Sequence, residues 1–414
     1  MLRIPRKLIF LAPLIFLSLS ACNDEKEIRI GVLLPQSGNA ASYGPAILDG
    51  IRLGSEEINA KGIEGFDGYR IVLVVKDTRS DPQTARQAML DLCDSSKDNC
   101  LAVIGPVSSS AAHAVAPIAV KRKRVLITPA ASEPSLTKKG NFVFRICPSD
   151  LVEARKMADF AGKKLEIKRV AVMAESEDYG QGLKKAFAKS FKKRKGEICK
   201  IVNVPEGVED LSTYVEEIKA SKPDAVYITG YGATLIRYLK EIRKHEVQDR
   251  KGNASYLLSC STLGSPVVCS DGCTEAAGVI FPQVEFDCTA ESPIIQHYCE
   301  RFRTAYGREP DALSAYGYDA LNLLAHSIEV LGGPYPEDLP MIIATTNNWR
   351  GVMGHVTFDG NGDVISRYPK MFAYRQCRPV LFDIIYNEKK KALQAKRDRL
   401  LKEIKALEQK QAGG

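Results

Sequence analysis

Two short hydroxyl-bearing loops hold the residues of this 414-residue chain best suited to chemistry. They are Ile104-Gly105-Pro106-Val107-Ser108-Ser109-Ser110 and Ile127-Thr128-Pro129-Ala130-Ala131-Ser132. Serine and threonine hydroxyls both donate and accept, and a helix starting near Ala111 adds unpaired backbone N–H groups at its positive end. Together they suit a carboxylate or another small anion. Loops rich in serine and proline also serve as plain caps and turns, but two of them at adjacent strand ends make a stronger case than one. Catalytic patterns are missing: there is no Gly-x-Ser-x-Gly elbow, no Walker-type Gly-x-x-x-x-Gly-Lys-Ser/Thr, and no Gly-x-Gly-x-x-Gly after the first strand. The five histidines, His113, His245, His297, His326 and His355, are scattered without metal-ligand spacing. Asp359-Gly360-Asn361-Gly362-Asp363 echoes the start of a calcium loop, yet Val364 stands where glycine is needed and no glutamate closes it. A tight turn is expected there. The residues favour a binding protein over an enzyme, with no cofactor and no metal.

Cysteine use and the chain ends bound the compartment. Arg3, Arg6 and Lys7 form a basic start, followed by an apolar run over 8–19 too short to span a bilayer comfortably. It ends in Leu19-Ser20-Ala21-Cys22, which resembles the bacterial lipobox, so residues 1–21 read as a lipoprotein signal peptide and Cys22 as the lipid attachment site. Residues 22–27 form a tether. Lasting attachment takes more than one acyl chain, and lipoproteins of this type carry two or three. Setting Cys22 aside leaves ten of the eleven cysteines. An even number in an exported chain favours disulfides, and Cys93 with Cys100, and Cys269 with Cys273, are close enough to pair locally. Cys269-Ser270-Asp271-Gly272-Cys273 could be half of a metal site, but no matching second half is present.

The formal charge of +8 is carried by the ends. Three positive charges lie in the signal, and the tail from Asn387 to Gly414 holds nine Lys or Arg against four Asp or Glu, leaving a neutral body. That argues against a nucleic-acid footprint, which needs a basic face on the domain itself.

Positioning the two loops requires strands that end beside one another. Short apolar runs over 101–104 and 125–127 read as buried parallel strands, which place both loops at the carboxyl edge of one sheet, where open α/β sheets bind ligands. Before them come a strand over 28–34, a helix over 43–60 closed by Lys61-Gly62, a strand over 69–75 and a helix over 84–93. The pattern restarts near residue 142. Helices are expected over 151–165, 182–193, 211–220 and 234–244, and strands over 170–173, 198–204, 225–229 and 256–259. Roughly 360 residues exceed what one sheet organises, so two lobes are expected. Two further helices, over 293–306 and 311–331, lack strands of their own and should pack back on the first lobe. A last helix over 388–411 carries Leu393, Leu400 and Leu407 seven apart, a thin stripe that fits a solvated extension or a contact with a partner or acidic headgroups.

Read in order, several motifs resemble the type I periplasmic binding proteins of the branched-chain amino-acid (Leu/Ile/Val) family, in lipoprotein form. They are Ile30-Gly31-Val32 with Ser37-Gly38 and Tyr43-Gly44, Ile58-Asn59-Ala60-Lys61-Gly62-Ile63, Val74-Val75-Lys76-Asp77 with Asp81-Pro82, and the two loops. Asp178-Tyr179-Gly180-Gln181-Gly182, Pro223-Asp224-Ala225-Val226-Tyr227, Ala315-Tyr316-Gly317-Tyr318-Asp319-Ala320, Val352-Met353-Gly354 and Phe358-Asp359-Gly360-Asn361-Gly362-Asp363 follow. The resemblance implies an α/β fold: two doubly wound lobes of the type I periplasmic binding protein fold joined by three crossovers, plus a C-terminal helix. The crossovers are expected near 147–150, 282–286 and 357–363. The first lobe would comprise 28–148 and 284–356, the second 149–283 and 357–386, and the basic helical tail 387–414.

The resemblance also implies a function: an extracytoplasmic, periplasmic lipoprotein of an ABC transporter, anchored to the membrane through Cys22, that captures a small solute between its lobes and delivers it to an ABC permease. Its partners would be a small-molecule ligand, an amino acid or other organic acid, the permease and the lipid anchor, with no nucleic acid. A ligand sensor or scaffold acting on a membrane or envelope partner is the alternative, to which the basic tail leans. Ser109, Ala130 and Ser132 match positions that hold a ligand carboxylate and part of its ammonium group, and Tyr43, Tyr179 and Tyr231 match tyrosines lining the cleft. One position departs from the pattern. Family members that bind aliphatic amino acids carry an acid on the second lobe where this chain has Ser261. Either Glu175, Glu177 or Asp178 supplies the charge, or the ligand lacks an amine, because an unpaired ammonium in a closed cleft costs several kcal/mol.

Overall fold

The computed structural model describes residues 26–63 and 69–412, with side chains to residue 404. The expected signal peptide, Cys22 and most of the tether lie outside the described residues. No helix among those described is long and apolar enough to cross a membrane.

Five parallel strands build the first sheet, in the order β2-β1-β3-β4-β5: β1 (Lys26–Leu34), β2 (Tyr69–Asp77), β3 (Ala102–Ile104), β4 (Val125–Thr128) and β5 (Val143–Arg145). Its middle strands β3 and β4 are buried throughout, as strands covered on both faces must be. Between the strands run α1 (Gly44–Lys61), α2 (Pro82–Cys93) and α3 (Ser109–Arg122). Helix α2 starts where Asp81 accepts the Thr84 N–H at 2.6 Å and Pro82 needs no partner for its nitrogen.

The second sheet has seven strands in the order β14-β13-β10-β9-β8-β6-β7. Its chain order begins with α4 (Asp150–Lys163), β6 (Arg169–Glu175), α5 (Asp178–Lys193) and β7 (Glu197–Val204). It continues with α6 (Ser212–Ala220), β8 (Ala225–Thr229), α7 (Gly232–Lys244) and β9 (Tyr256–Ser259). Two short helices, α8 (Pro266–Asp271) and α9 (Cys273–Ala276), lead into β10 (Ile280–Gln283). The chain then returns to the first half. Helices α10 (Pro293–Tyr306) and α11 (Ala312–Leu331) lie against α1, so closely that a Cβ on Gly50 of α1 would stand 1.8 Å from Ser314 O. Tyr306 OH donates to Asp49 O at 2.9 Å in the same contact.

After α12 (Leu339–Ala344) and the hairpin β11 (Trp349–Gly351)–β12 (Gly354–Val356), the chain crosses again. It supplies β13 (Lys370–Arg375) and β14 (Arg378–Leu381), antiparallel strands that extend the second sheet beyond β10. At that last crossing the buried Arg145 guanidinium binds Asp363 Oδ1, at 3.0 Å from Nε and 2.5 Å from Nη2. Asp359 accepts the N–H groups of Asn361 and Asp363 at 2.8 and 2.9 Å, so its carboxylate is spent on a tight turn. The final helix α13 (Phe382–Ala412) starts six residues before the expected one. Its first turn is anchored, with Phe382 edge-on to Phe160 at 4.8 Å and Lys164 over the Tyr386 ring at 4.0 Å, while Leu393, Leu400, Leu401 and Ile404 stay exposed.

The local cysteine pairs are not the ones formed. Cys273 joins Cys377, and Cys288 joins Cys299. Cys93, Cys100, Cys147, Cys199, Cys260 and Cys269 are free thiols. Cys269 faces the Tyr374 hydroxyl at 2.8 Å instead of Cys273, because Cys273 opens α9 where it meets the β13–β14 turn. Cys93 and Cys100 are buried on either side of the turn between α2 and β3, and burial pushes both thiols up, to about 11 and about 12.

Candidate functional site

The carboxyl ends of both sheets face one cavity of about 150 Å³, the scale at which an engineered apolar cavity admits a benzene-sized molecule. In each sheet the chain order reverses beside it, between β1 and β3 in the first and between β6 and β8 in the second. Ser109, Ala130 and Ser132 line it from the first half together with Tyr43, and Tyr179 and Tyr231 line it from the second. All six residues singled out in the sequence therefore meet at one place.

Local geometry explains why the two serine loops lie side by side. The Thr128 hydroxyl donates to Pro106 O at 2.7 Å and accepts the Ala131 N–H at 2.9 Å, tying one loop to the other. Gly105 has φ +114°, and a Cβ there would stand 2.0 Å from Leu33 O, so only glycine lets the first loop pass this close to β1. Helix α3 begins at Ser109 rather than near Ala111, because Ser108 caps it, accepting the Ala111 N–H at 3.3 Å. Ser109 is thereby placed on the first helical turn with its side chain 1% exposed, and its hydroxyl has no partner among the described residues. Such a buried, unpaired hydroxyl costs about 1–3 kcal/mol, which a ligand oxygen recovers.

Tyrosines join the halves across the cavity. Tyr43 OH donates to Thr262 O at 3.5 Å and accepts the Gly232 N–H at 3.3 Å. Its ring meets Tyr231 edge-on at 5.9 Å, and Tyr231 lies 5.2 Å from Tyr179. Burial raises the pKa of all three, so they stay neutral and offer hydroxyls rather than charge.

None of the three acids expected to replace the missing one reaches the cavity. Glu175 accepts the Tyr231 N–H at 3.2 Å and the Thr234 hydroxyl at 3.1 Å, which uses it at the start of α7. Glu177 accepts from Asn39 Nδ2 at 2.5 Å across the two halves, and burial with the neighbouring Glu175 charge pushes it up to about 7. Asp178 opens α5 and lines a shallower depression beside His113 and Glu133. The His113 imidazole and the Ser135 donors hold Glu133 down at about 2 against its burial.

Among the described residues, the carboxylates on the cavity wall are Glu153 and Asp311. Asp311 is committed as the N-cap of α11, accepting the Ser314 N–H at 2.8 Å. Glu153, on α4, accepts the Ser261 N–H at 2.9 Å, and burial pushes it up to about 7. Sequence reading missed it, along with Gln283 and Tyr316, which also line the cavity. The available signal was its place in the first turns of the helix after Ser149, but acids are common there for reasons of helix polarity alone. Among the described residues, no Lys, Arg or His lines the cavity.

The sequence profile of a family described as periplasmic binding protein matches residues 27–372. A Leu/Ile/Val-binding protein of Rhizobium johnstonii is 29% identical, over 82% of this chain and 90% of its own length. A leucine-binding protein of Thermotoga maritima has a solved structure that superposes with a TM-score of 0.77 at 30% identity, covering 86% of this chain and 97% of that one. The substrate-binding protein of a branched-chain amino-acid transporter of Streptococcus pneumoniae, solved in complex with isoleucine, gives 0.76 at 26% identity over 86% and 98%.

Proposed function

The chain belongs to the periplasmic binding protein family, and on that premise we propose that it captures a small carboxylate-bearing solute, an amino acid or related compound, and delivers it to an ABC importer. The family is made of solute-binding proteins rather than enzymes, and its place is extracytoplasmic. Anchoring through a lipidated Cys22 is part of the same proposal. The relatives named for leucine, isoleucine and valine support an amino acid as the solute.

One observation carries the reading: six residues named for the ligand line one cavity between the halves. A small ligand there touches Ser109, Ala130 and Ser132 from one side and Tyr179 and Tyr231 from the other. It makes both sets of contacts only when the halves are closed, so its binding energy shifts the open-to-closed equilibrium toward the form an importer recognises.

Calorimetry and thermal unfolding of the purified protein against amino acids and amine-free organic acids test this. A ligand present at a hundred times its Kd stabilises the folded form by about 2.7 kcal/mol, a clear rise in Tm. Silence from every carboxylate would overturn the proposal.

A further inference from the structure

Glu153 has an unusual situation for a carboxylate. Its side chain is buried, it borders the cavity, and among the described residues no basic group makes an ion pair with it. Its hydrogen bond from the Ser261 N–H, at 2.9 Å, holds one oxygen in place without supplying a charge. Leaving a buried carboxylate in that state is costly unless something else brings a cation. Among the described residues none brings one, because no Lys, Arg or His of theirs lines the cavity.

Ser109 brings a different chemistry to the same cavity: its hydroxyl, at the positive end of α3, has no partner among the described residues and suits an anion. The Gln283 carbonyl oxygen also has no partner among the described residues and, as an acceptor, suits a donor such as an ammonium. The cavity therefore holds polar groups with two preferences, an anion at Ser109 and a cation at Glu153. Val107, Leu313, Tyr43 and Tyr316 supply apolar surface around them. A purely anionic solute would leave Glu153 without a counter-charge, whereas a zwitterion satisfies both.

We propose that Glu153 pairs with a cationic amine of the ligand, so that this cavity selects amino acids with apolar side chains over amine-free carboxylates. Helix α4 thus provides the acid that Ser261 does not, and the Ser261 main chain holds that acid in position. The proposal rests on the solute-binding reading above and sharpens its ligand class.

The test pairs each apolar amino acid with its deaminated counterpart, for example L-leucine with 4-methylpentanoate and L-phenylalanine with 3-phenylpropanoate. Calorimetry is run on the purified protein and on Glu153→Gln, which keeps the shape and removes the charge. Breaking a buried ion pair is worth about a hundredfold or more in affinity. The wild type should therefore prefer at least one amino acid over its counterpart by that factor, and E153Q should lose the preference by binding the amino acid more weakly. If the wild type binds deaminated acids as tightly as amino acids, Glu153 does not select amines, while the solute-binding reading survives. The same holds if E153Q, shown folded by its thermal transition, keeps the full preference. Silence from both series overturns both. The wild-type comparison stands without the variant should E153Q fail to fold.

Discussion

Burial pushes Glu153 up to about 7, which makes its role visible in pH dependence. Its neighbours are Asp150 on the same helix, Tyr179 on α5, Tyr227 on β8, Cys260 after β9 and Tyr316 on α11, and burial raises the pKa of every one, favouring their neutral forms. Glu153 itself sits at about 7, above its ordinary value because it is desolvated. A bound ammonium favours the ionised form, so below pH 7 binding must displace a proton, and affinity for an amino acid should fall by up to about tenfold per pH unit. Stability of the unliganded protein runs the other way. The folded state holds the Glu153 proton more tightly than the unfolded chain, so this group's contribution is complete below pH 4.5 and is lost as pH rises through 7. Calorimetric titrations between pH 5.5 and 8.5 on wild type and E153Q check the first statement: a slope that persists unchanged in the variant belongs to another group. Ser109 offers a complementary measurement. Because its buried hydroxyl has no partner among the described residues, Ser109→Ala should raise the Tm of the unliganded protein, yet weaken a carboxylate ligand about ten- to a hundredfold. A large fall in Tm with affinity intact would make the hydroxyl structural.

Element by element, the chain is most legible where apolar runs are short and bounded. Strands over 225–229 and 256–259 and the helix over 293–306 agree with the observed bounds, since buried strands and one-faced helices leave plain patterns. Helix α5 shows how the reading fails. It starts at Asp178 rather than 182, with Gly180 and Gly182 inside its first turns, because a Cβ on Gly180 would stand 2.6 Å from Glu175 O. Those glycines serve packing, while glycine in sequence reads as a break. Disulfides were illegible for a different reason: proximity along the chain says nothing about which helix a cysteine meets in space. The Cys273–Cys377 bond spans 104 residues and ties α9 to the β13–β14 turn, whereas Cys288–Cys299 spans 11. Loop-closure entropy makes the longer crosslink worth about 4–5 kcal/mol and the shorter about 3. Denaturant titration should therefore show a larger loss for Cys273→Ser with Cys377→Ser than for Cys288→Ser with Cys299→Ser. Equal losses would mean native-state packing, not chain entropy, decides their worth.

At the scale of the whole molecule, ligand affinity depends on how often the two halves are closed before the ligand arrives. The cavity residues cannot isolate that term, because any change at Ser109 or Glu153 alters contact and closure together. Asn39 can. It does not line the cavity, yet its Nδ2 donates to Glu177 Oε1 at 2.5 Å from the opposite half. Removing this bond leaves every ligand contact intact and destabilises only the closed form. Apparent Kd rises in inverse proportion to the fraction of protein that is binding-competent, so a hydrogen bond to a carboxylate worth about 1.5 kcal/mol translates into roughly tenfold weaker binding. Asn39→Ala should show this loss for every ligand alike, amino acid and deaminated acid included, and so leave the preference set by Glu153 untouched. Small-angle scattering gives the structural side: ligand should contract the wild type, and the variant should need correspondingly more ligand to reach the same radius. Unchanged affinity in Asn39→Ala would mean the closed form does not lean on this contact. A loss confined to amine-bearing ligands would place Asn39 in the ligand's electrostatics instead of in closure.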